Sequence, residues 1–267
     1  MRTGYARLLF WNGEIDMSDQ AILLALYGTS SAVMAETGGI LAEELSDRYN
    51  LPVYCCYYAE KYLKDQPHLS LEHQISSMRT DGIQHIHAML CFLSKGSTAL
   101  RMRKNIHEAA ADFRCISDYG PILESEEFVE HLPQTLAESF GFSFSDQVLF
   151  VGHGSKTAAD QDYQKVEKAF GDSGYTDVQT TLIRTAQTEA KKPEPEPDLD
   201  RPVHLIPFLL GCGAHARRDI FGGEESIHKK LVQQGYKVID EPKGLLELPA
   251  VRSLLTEVVF NVRREEN

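Results

Sequence analysis

AILLALYGTS, residues 21–30, is an unbroken apolar run that ends in a glycine and two hydroxyl side chains. A strand with one wet face alternates polar and apolar residues. A run with no polar position reads instead as a strand covered on both faces, as in parallel sheets. A helical stretch through Leu45 follows, then strand candidates at Leu51–Tyr58 and Ile86–Leu93 and a weaker one at Asp112–Ile116. Strands alternating with helices predict a parallel α/β sheet.

The pattern restarts at QVLFV, residues 147–151, which runs into Gly152-His153-Gly154-Ser155. A helix with Tyr163, Val166, Ala169 and Phe170 at helical spacing comes next. Further strands are expected at Asp177–Ile183, Pro202–Leu210 and Tyr236–Ile239, and Leu248–Val262 reads as a closing amphipathic helix. Gly28 and Gly152 are 152 − 28 = 124 residues apart, and His87…Phe92-Leu93…Gly96 echoes His204…Phe208-Leu209…Gly213 at 208 − 92 = 116 between phenylalanines. These ordered echoes predict two similar α/β domains in tandem, packed face to face. The boundary is expected between Pro133 and Asp146, giving an extension over 1–16, a first domain over 17–138 and a second over 139–267. KKPEPEPDLD, residues 191–200, reads as a solvated excursion, either a surface insertion or a lid beside the site.

Bulk properties exclude several classes. A net charge of −12 repels phosphate backbones, so no nucleic-acid partner is expected. No apolar run approaches the roughly 20 residues that span a bilayer, and residues 1–16 hold too short an apolar patch for a secretory leader. Five cysteines, an odd number with no C-x-x-C pair, argue against a disulfide framework and a cysteine zinc cluster. A reducing, cytoplasmic setting is the simpler expectation.

Ligands of open parallel sheets bind beyond the carboxyl ends of the strands. Gly152-His153-Gly154-Ser155 and Gly213-Ala214-His215-Ala216 both fall there in the second half. Two imidazoles from two strand ends can converge on one ion, and neutral imidazole also accepts protons. His85, His87 and His204 sit at amino ends of strands and read as structural; His68, His73, His107, His131 and His228 read as surface residues. Gly28-Thr29-Ser30 reads either as an anion-binding turn or as a tight turn with a hydroxyl helix cap. Cys55, Cys56 and Cys91 read as small apolar strand residues, while Cys212 lies nearer the crevice. Arg184, Arg217 and Arg218 stand where they can pair with carboxylates of a polyanionic ligand.

Leu149–Ser155, with Tyr163 downstream, resembles the G-H-G-[ST] segment of the anaerobic cobalt chelatases. Leu205–Leu210 through Gly213-Ala214-His215-Ala216-Arg217-Arg218-Asp219-Ile220 resembles that family's second signature, and Gly28-Thr29-Ser30 its G-T-S turn. The resemblance spans roughly Ala21 to Val262. It implies two flavodoxin-like domains with a cleft between them and a last helix that crosses to the first domain. It implies sirohydrochlorin, a tetrapyrrole, as substrate and Co2+ as the ion inserted, in anaerobic cobalamin biosynthesis, with Fe2+ or Ni2+ as alternatives and no organic cofactor. His153 and His215 match the two family histidines that hold metal and take up pyrrole protons. Gly28, Thr29, Ser30, Gly154 and Ser155 are assigned to substrate binding, and a homo-oligomer is allowed.

Two departures stand out. Gln187 occupies the place of the family's metal-binding glutamate, with Glu189 two residues on as its substitute, and Met89-Leu90-Cys91-Phe92 replaces a histidine-bearing strand. They leave room for a relative that binds a tetrapyrrole or haem without inserting metal. A periplasmic-type metal-binding protein is the third expectation.

Overall fold

The computed structural model describes residues 19–27, 32–58, 64, 66–154, 158–183 and 198–262, with the backbone alone at Ala32, Met34, Ala158, Ala159 and His215. The 1–16 extension therefore lies outside the described residues, as does most of the 191–200 excursion.

The first half comprises β1 (Gln20–Leu26), α1 (Ala32–Tyr49), β2 (Val53–Tyr57), α2 (Leu71–Thr80), β3 (His85–Cys91), α3 (Ser97–Ala109), β4 (Cys115–Tyr119) and α4 (Glu126–Phe140). The second comprises β5 (Gln147–Gly152), α5 (Asp162–Asp172), β6 (Val178–Leu182), β7 (Val203–Pro207), α6 (Ala214–Arg217), α7 (Ile227–Gln233), β8 (Val238–Asp240) and α8 (Pro249–Leu254). The strands form two four-stranded sheets, β2-β1-β3-β4 and β6-β5-β7-β8, with every pairing parallel. One strand order occurs twice, as the sequence echoes predict.

Local chemistry places the ends of these elements. Ser70, Ser125 and Ser226 each accept an N–H from three residues on, capping α2, α4 and α7. Gly141 closes α4 at φ 74°, where a side chain is disfavoured. The weak strand expected at 112–116 starts later, at Cys115. The residues before it form a turn, with Phe113 N–H bonded to Ala110 O and the Asp112 carboxylate gripped by Arg79 at 2.7 and 2.9 Å.

β1 is fully buried, and its side chains divide by parity. Ala21, Leu23 and Ala25 face an outer core with Ile75, Met78, Met102 and Ile106 of α2 and α3. Ile22, Leu24 and Leu26 face an inner core that reaches both sheets, taking in Leu41 and Leu45 of α1, Leu132 and Leu136 of α4, Val166 and Phe170 of α5, and Val251 of α8. A third cluster covers the outer face of the second sheet with Ile227 and Leu231 of α7. Each such Val, Leu, Ile, Met or Phe side chain contributes about 1.5–3 kcal/mol on burial.

The helix that ends each half crosses to the other. α4 packs against α5, and α8 packs against α4 and reaches α1. Arg252 of α8 donates from Nε and Nη2 to the Glu44 carboxylate of α1 at 2.9–3.0 Å, and from Nη1 to Leu246 O at 2.8 Å. Tyr49 Oη donates to Thr256 O at 2.6 Å. The helix expected over 248–262 is shorter than its apolar pattern: α8 passes at Leu255 into a π-turn, Leu255–Val259, which ends at Phe260.

At the amino edge of the first sheet the polar strand residues satisfy one another. His87 is buried between Gln20 Oε1, 2.9 Å from Nε2, and Tyr119 Oη, 3.2 Å from Nδ1; His85 Nε2 meets Ser117 Oγ at 3.0 Å. In the second sheet His204 is buried with Nδ1 3.6 Å from Glu241 and its ring against Phe142. His68, His73, His107 and His131 are exposed, whereas His228 is half-buried, with Nδ1 2.8 Å from Asp240 Oδ1. All five cysteines are free. Burial pushes the thiols of Cys55 and Cys91 up to about 11 and about 12, and that of Cys56 upward too.

Two expected outcomes follow from this packing. Arg252→Met removes the ion pair between halves and leaves Glu44, 37% exposed, to water; it should cost about 2–3 kcal/mol in urea unfolding, less than a fully buried pair. Burial and the neighbouring His85 push His87 down to about 4 from 6.5. The unfolded chain then takes up a proton that the folded chain refuses, so stability is lost as pH falls from about 6.5 to about 4. His87→Gln should flatten that stretch of the curve of denaturation midpoint against pH.

Candidate functional site

β5 and β7 lie side by side, with Val151 level with Pro207, and Phe208 N–H donates to Val151 O at 2.8 Å. Their carboxyl ends share a rigid footing. The Phe208 ring lies 5.4 Å from that of Phe150 and 5.9 Å from that of Tyr163, both edge-on. The two glycine-flanked histidine segments leave the sheet from these adjacent strands.

Three features aim His153. A Cβ on Gly152 would lie 2.4 Å from the Tyr163 ring, so only glycine lets the strand pass. Gly154 has φ +79° and sits against Leu182. The Tyr163 hydroxyl, buried in α5, accepts the backbone N–H groups of His153 and Gly154; burial and the charge of Asp160 still push it up to about 12, so it stays a neutral phenol. His153 itself is exposed, with Nδ1 2.9 Å from Gly154 O. A carbonyl can only accept, so Nδ1 carries the hydrogen. In the neutral ring Nε2 then presents its lone pair.

His215 lies in the single turn of α6. The Gly211–Gly213 segment leading to it is braced by the turn at 244–247. Leu245 and Leu246 N–H donate to Leu209 and Leu210 O at 2.7 and 2.9 Å, and a Cβ on Gly244 would lie 2.4 Å from Gly211 Cα. Glu247 Oε1 accepts from Cys212 N–H at 3.1 Å and from Gly244 N–H at 2.8 Å. Cys212 is 1% exposed, and burial pushes its thiol up to about 11, which makes it a poor metal ligand. Arg217 turns its Nε to Cys212 O at 3.0 Å, and Arg218 is held by Asp219 at 2.8 Å, so both have partners within the chain.

Of the expected metal set, His153 has a described side chain, His215 a described backbone, and Glu189 lies outside the described residues with Gln187 and Arg184. Among the described residues no group of three His, Cys, Asp or Glu side chains gathers to hold an ion. Gly28, Thr29, Ser30 and Ser155 also lie outside them, while Gly154 is placed beside His153. At the carboxyl end of the first sheet stands a pair that composition and motif do not single out. Tyr27, 48% exposed, stacks near Tyr58 at 6.5 Å, and Arg101 Nη1 donates to Tyr58 Oη at 3.1 Å. Tyr27 and Tyr58 each end an apolar strand run, which is the signal that marks them. No described helix is long and apolar enough to cross a membrane.

Comparison with known proteins agrees with this architecture. No curated protein sequence matches the chain. Among solved structures, SirB from Bacillus subtilis with Fe3+ matches at TM-score 0.64 and 15% identity over 90% of this chain and 94% of its own. CbiX, described as the terminal enzyme for biosynthesis of siroheme in denitrifying bacteria, matches at 0.51 and 14% over 89% and 96%. DR2241 from Deinococcus radiodurans, a multi-domain protein with structural similarity to chelatases, matches at 0.63 and 16% over 93% of this chain, which spans 56% of its length. At these identities the likeness is one of fold. The model of the family described as cobalt chelatase (CbiK) matches residues 20–262, so the chain belongs to the CbiK family of tetrapyrrole metal chelatases.

Proposed function

We propose that this protein inserts Co2+ into sirohydrochlorin, as a cytoplasmic step of anaerobic cobalamin biosynthesis. The reading rests on the glycine-locked loop that turns Nε2 of His153 outward at the strand end beside the one that leads to His215. Insertion exchanges two pyrrole N–H protons for one divalent ion. The protein must hold the macrocycle, bring a partly dehydrated ion to one face and accept both protons. His153 and His215 share ion delivery and proton acceptance, and Glu189 supplies a carboxylate ligand. Turn amides and hydroxyls at Gly28, Thr29, Ser30, Gly154 and Ser155 hold the substrate's carboxylates. The site is assigned to the cleft between the two domains, 17–138 and 139–267, whose boundary falls at the end of α4. Fe2+ and Ni2+ remain in the metal series because imidazole suits all three ions. Gln187 in place of the family acid favours one other reading, a tetrapyrrole-binding protein without insertion.

Anaerobic absorbance with purified protein, sirohydrochlorin and Co2+, Fe2+ or Ni2+ separates these. Loss of the free-base spectrum should run above the uncatalysed rate, and His153→Ala and His215→Ala should each lower it about 100-fold or more. Full rates in both variants would sink the assignment, and a spectral shift without turnover would favour the binding protein. The footing of His153 has its own test. Gly152→Ala should cost about 1–3 kcal/mol by clashing with the Tyr163 ring. Added to Tyr163→Ala, it should cost much less, which thermal unfolding of the four proteins in the cycle will measure.

A further inference from the structure

Equivalent turns in the two halves employ the same acid differently. Ile122–Glu124 and Leu245–Glu247 are single 3-10 turns, 245 − 122 = 123 residues apart. Each leans on the chain leaving the third strand of its half. Ile122 and Leu123 N–H donate to Phe92 and Leu93 O at 2.8 and 2.9 Å, as Leu245 and Leu246 do to Leu209 and Leu210. These bonds make Phe92 equivalent to Leu209, one residue from the Phe92–Phe208 match that the sequence suggests. They also make Lys95 equivalent to Cys212, and Glu124 to Glu247.

Side chains meet the acid of the first half. Lys95 Nζ lies 2.6 Å from Glu124 Oε1, and Arg103 Nη2 lies 3.5 Å from Oε2. In the second half the residue in the place of Lys95 is the buried Cys212, and its own N–H fills the acid, together with that of Gly244. Arg217 takes the Cys212 carbonyl. The backbone N–H and C=O of one residue are thus both held by ionised side chains, three positions before His215. Charge-assisted bonds of this kind are roughly twice as strong as neutral ones.

We propose that Glu247, with Arg217 behind it, is a positioning residue for metal insertion, fixing the Gly211–Gly213 segment so that His215 meets His153 at one geometry. The role rests on the function proposed above. Two imidazoles that share one ion and then its displaced protons tolerate little play, and a misplacement of about 1 Å can cost about 100-fold. Glu124 makes its bonds to side chains and carries no such role.

The test uses the full-length protein as wild type, Glu247→Ala, Glu247→Gln and Glu124→Gln. It reads kcat and KM for sirohydrochlorin with Co2+, and amide exchange of the 209–217 segment. Glu247→Ala should lower kcat at least about tenfold with KM within about twofold, and should speed Cys212 exchange more than tenfold. Glu247→Gln keeps an acceptor oxygen and should restore most of kcat; it carries the test should the alanine variant fail to fold, with exchange at Cys212 still faster than in wild type. Glu124→Gln should leave kcat and this segment unchanged. Faster exchange with kcat intact would make Glu247 a structural brace only, and unchanged exchange would remove the clamp; either overturns the proposal. A wild-type protein that inserts no metal overturns the function itself, an outcome told apart because the failure precedes any substitution.

Discussion

A parallel sheet has two apolar faces, and both must be kept from water. That requirement governs the molecule. Two sheets present four faces, and the outer pair is covered locally, by α2 and α3 on one side and α7 on the other. The inner pair shares one core, filled from both halves by α1, α4, α5 and α8. Once the sheets are held back to back through that core, the strand order β2-β1-β3-β4 and its repeat fix where β5 and β7 end. The glycine-flanked segments that carry the two histidines can then start from neighbouring positions.

The strands that carry most burial were the most legible. β1 and β5 announce themselves because, after a leading glutamine, Ala21–Leu26 and Val148–Val151 carry no polar residue. β4 does not: none of its residues is buried, and the turn ahead of it is set by an Arg79–Asp112 pair 33 residues apart. The last helix misled by length, because its apolar pattern continues through a π-turn that periodicity cannot distinguish from an α-helix. The duplication was visible in order but slipped by one residue at Phe92, since identity of side chain is a weaker guide than the hydrogen bonds that make positions equivalent.

The candidate site was legible at its glycines. Gly152 and Gly154 are required by a ring contact and a positive φ, and such needs leave a mark in sequence. What supports the site left a fainter one. Tyr163 acts through its hydroxyl on backbone amides from a helix nine residues beyond Gly154, and Glu247 acts from a turn 35 residues past Cys212. Contacts from side chain to backbone impose no residue type on the receiving partner, so no pairing of residues betrays them. The net charge of −12 says equally little about the site, because Arg217 and Arg218 are occupied within the chain.

The exchange of terminal helices bears on how such a chain can arise and assemble. Neither half owns a complete cover for its inner sheet face, since α4 and α8 each lie partly on the opposite half. A polypeptide with only the elements of one half would expose that face until a second copy supplied the missing helix. Its folding would be inseparable from pairing, and its stability would rise with concentration. Joining two copies end to end replaces that encounter with a tethered one at high effective concentration. It also frees the copies to diverge, so that one can set its acid, Glu247, on the amide of the buried Cys212 where the other pairs Glu124 with the side chain of Lys95.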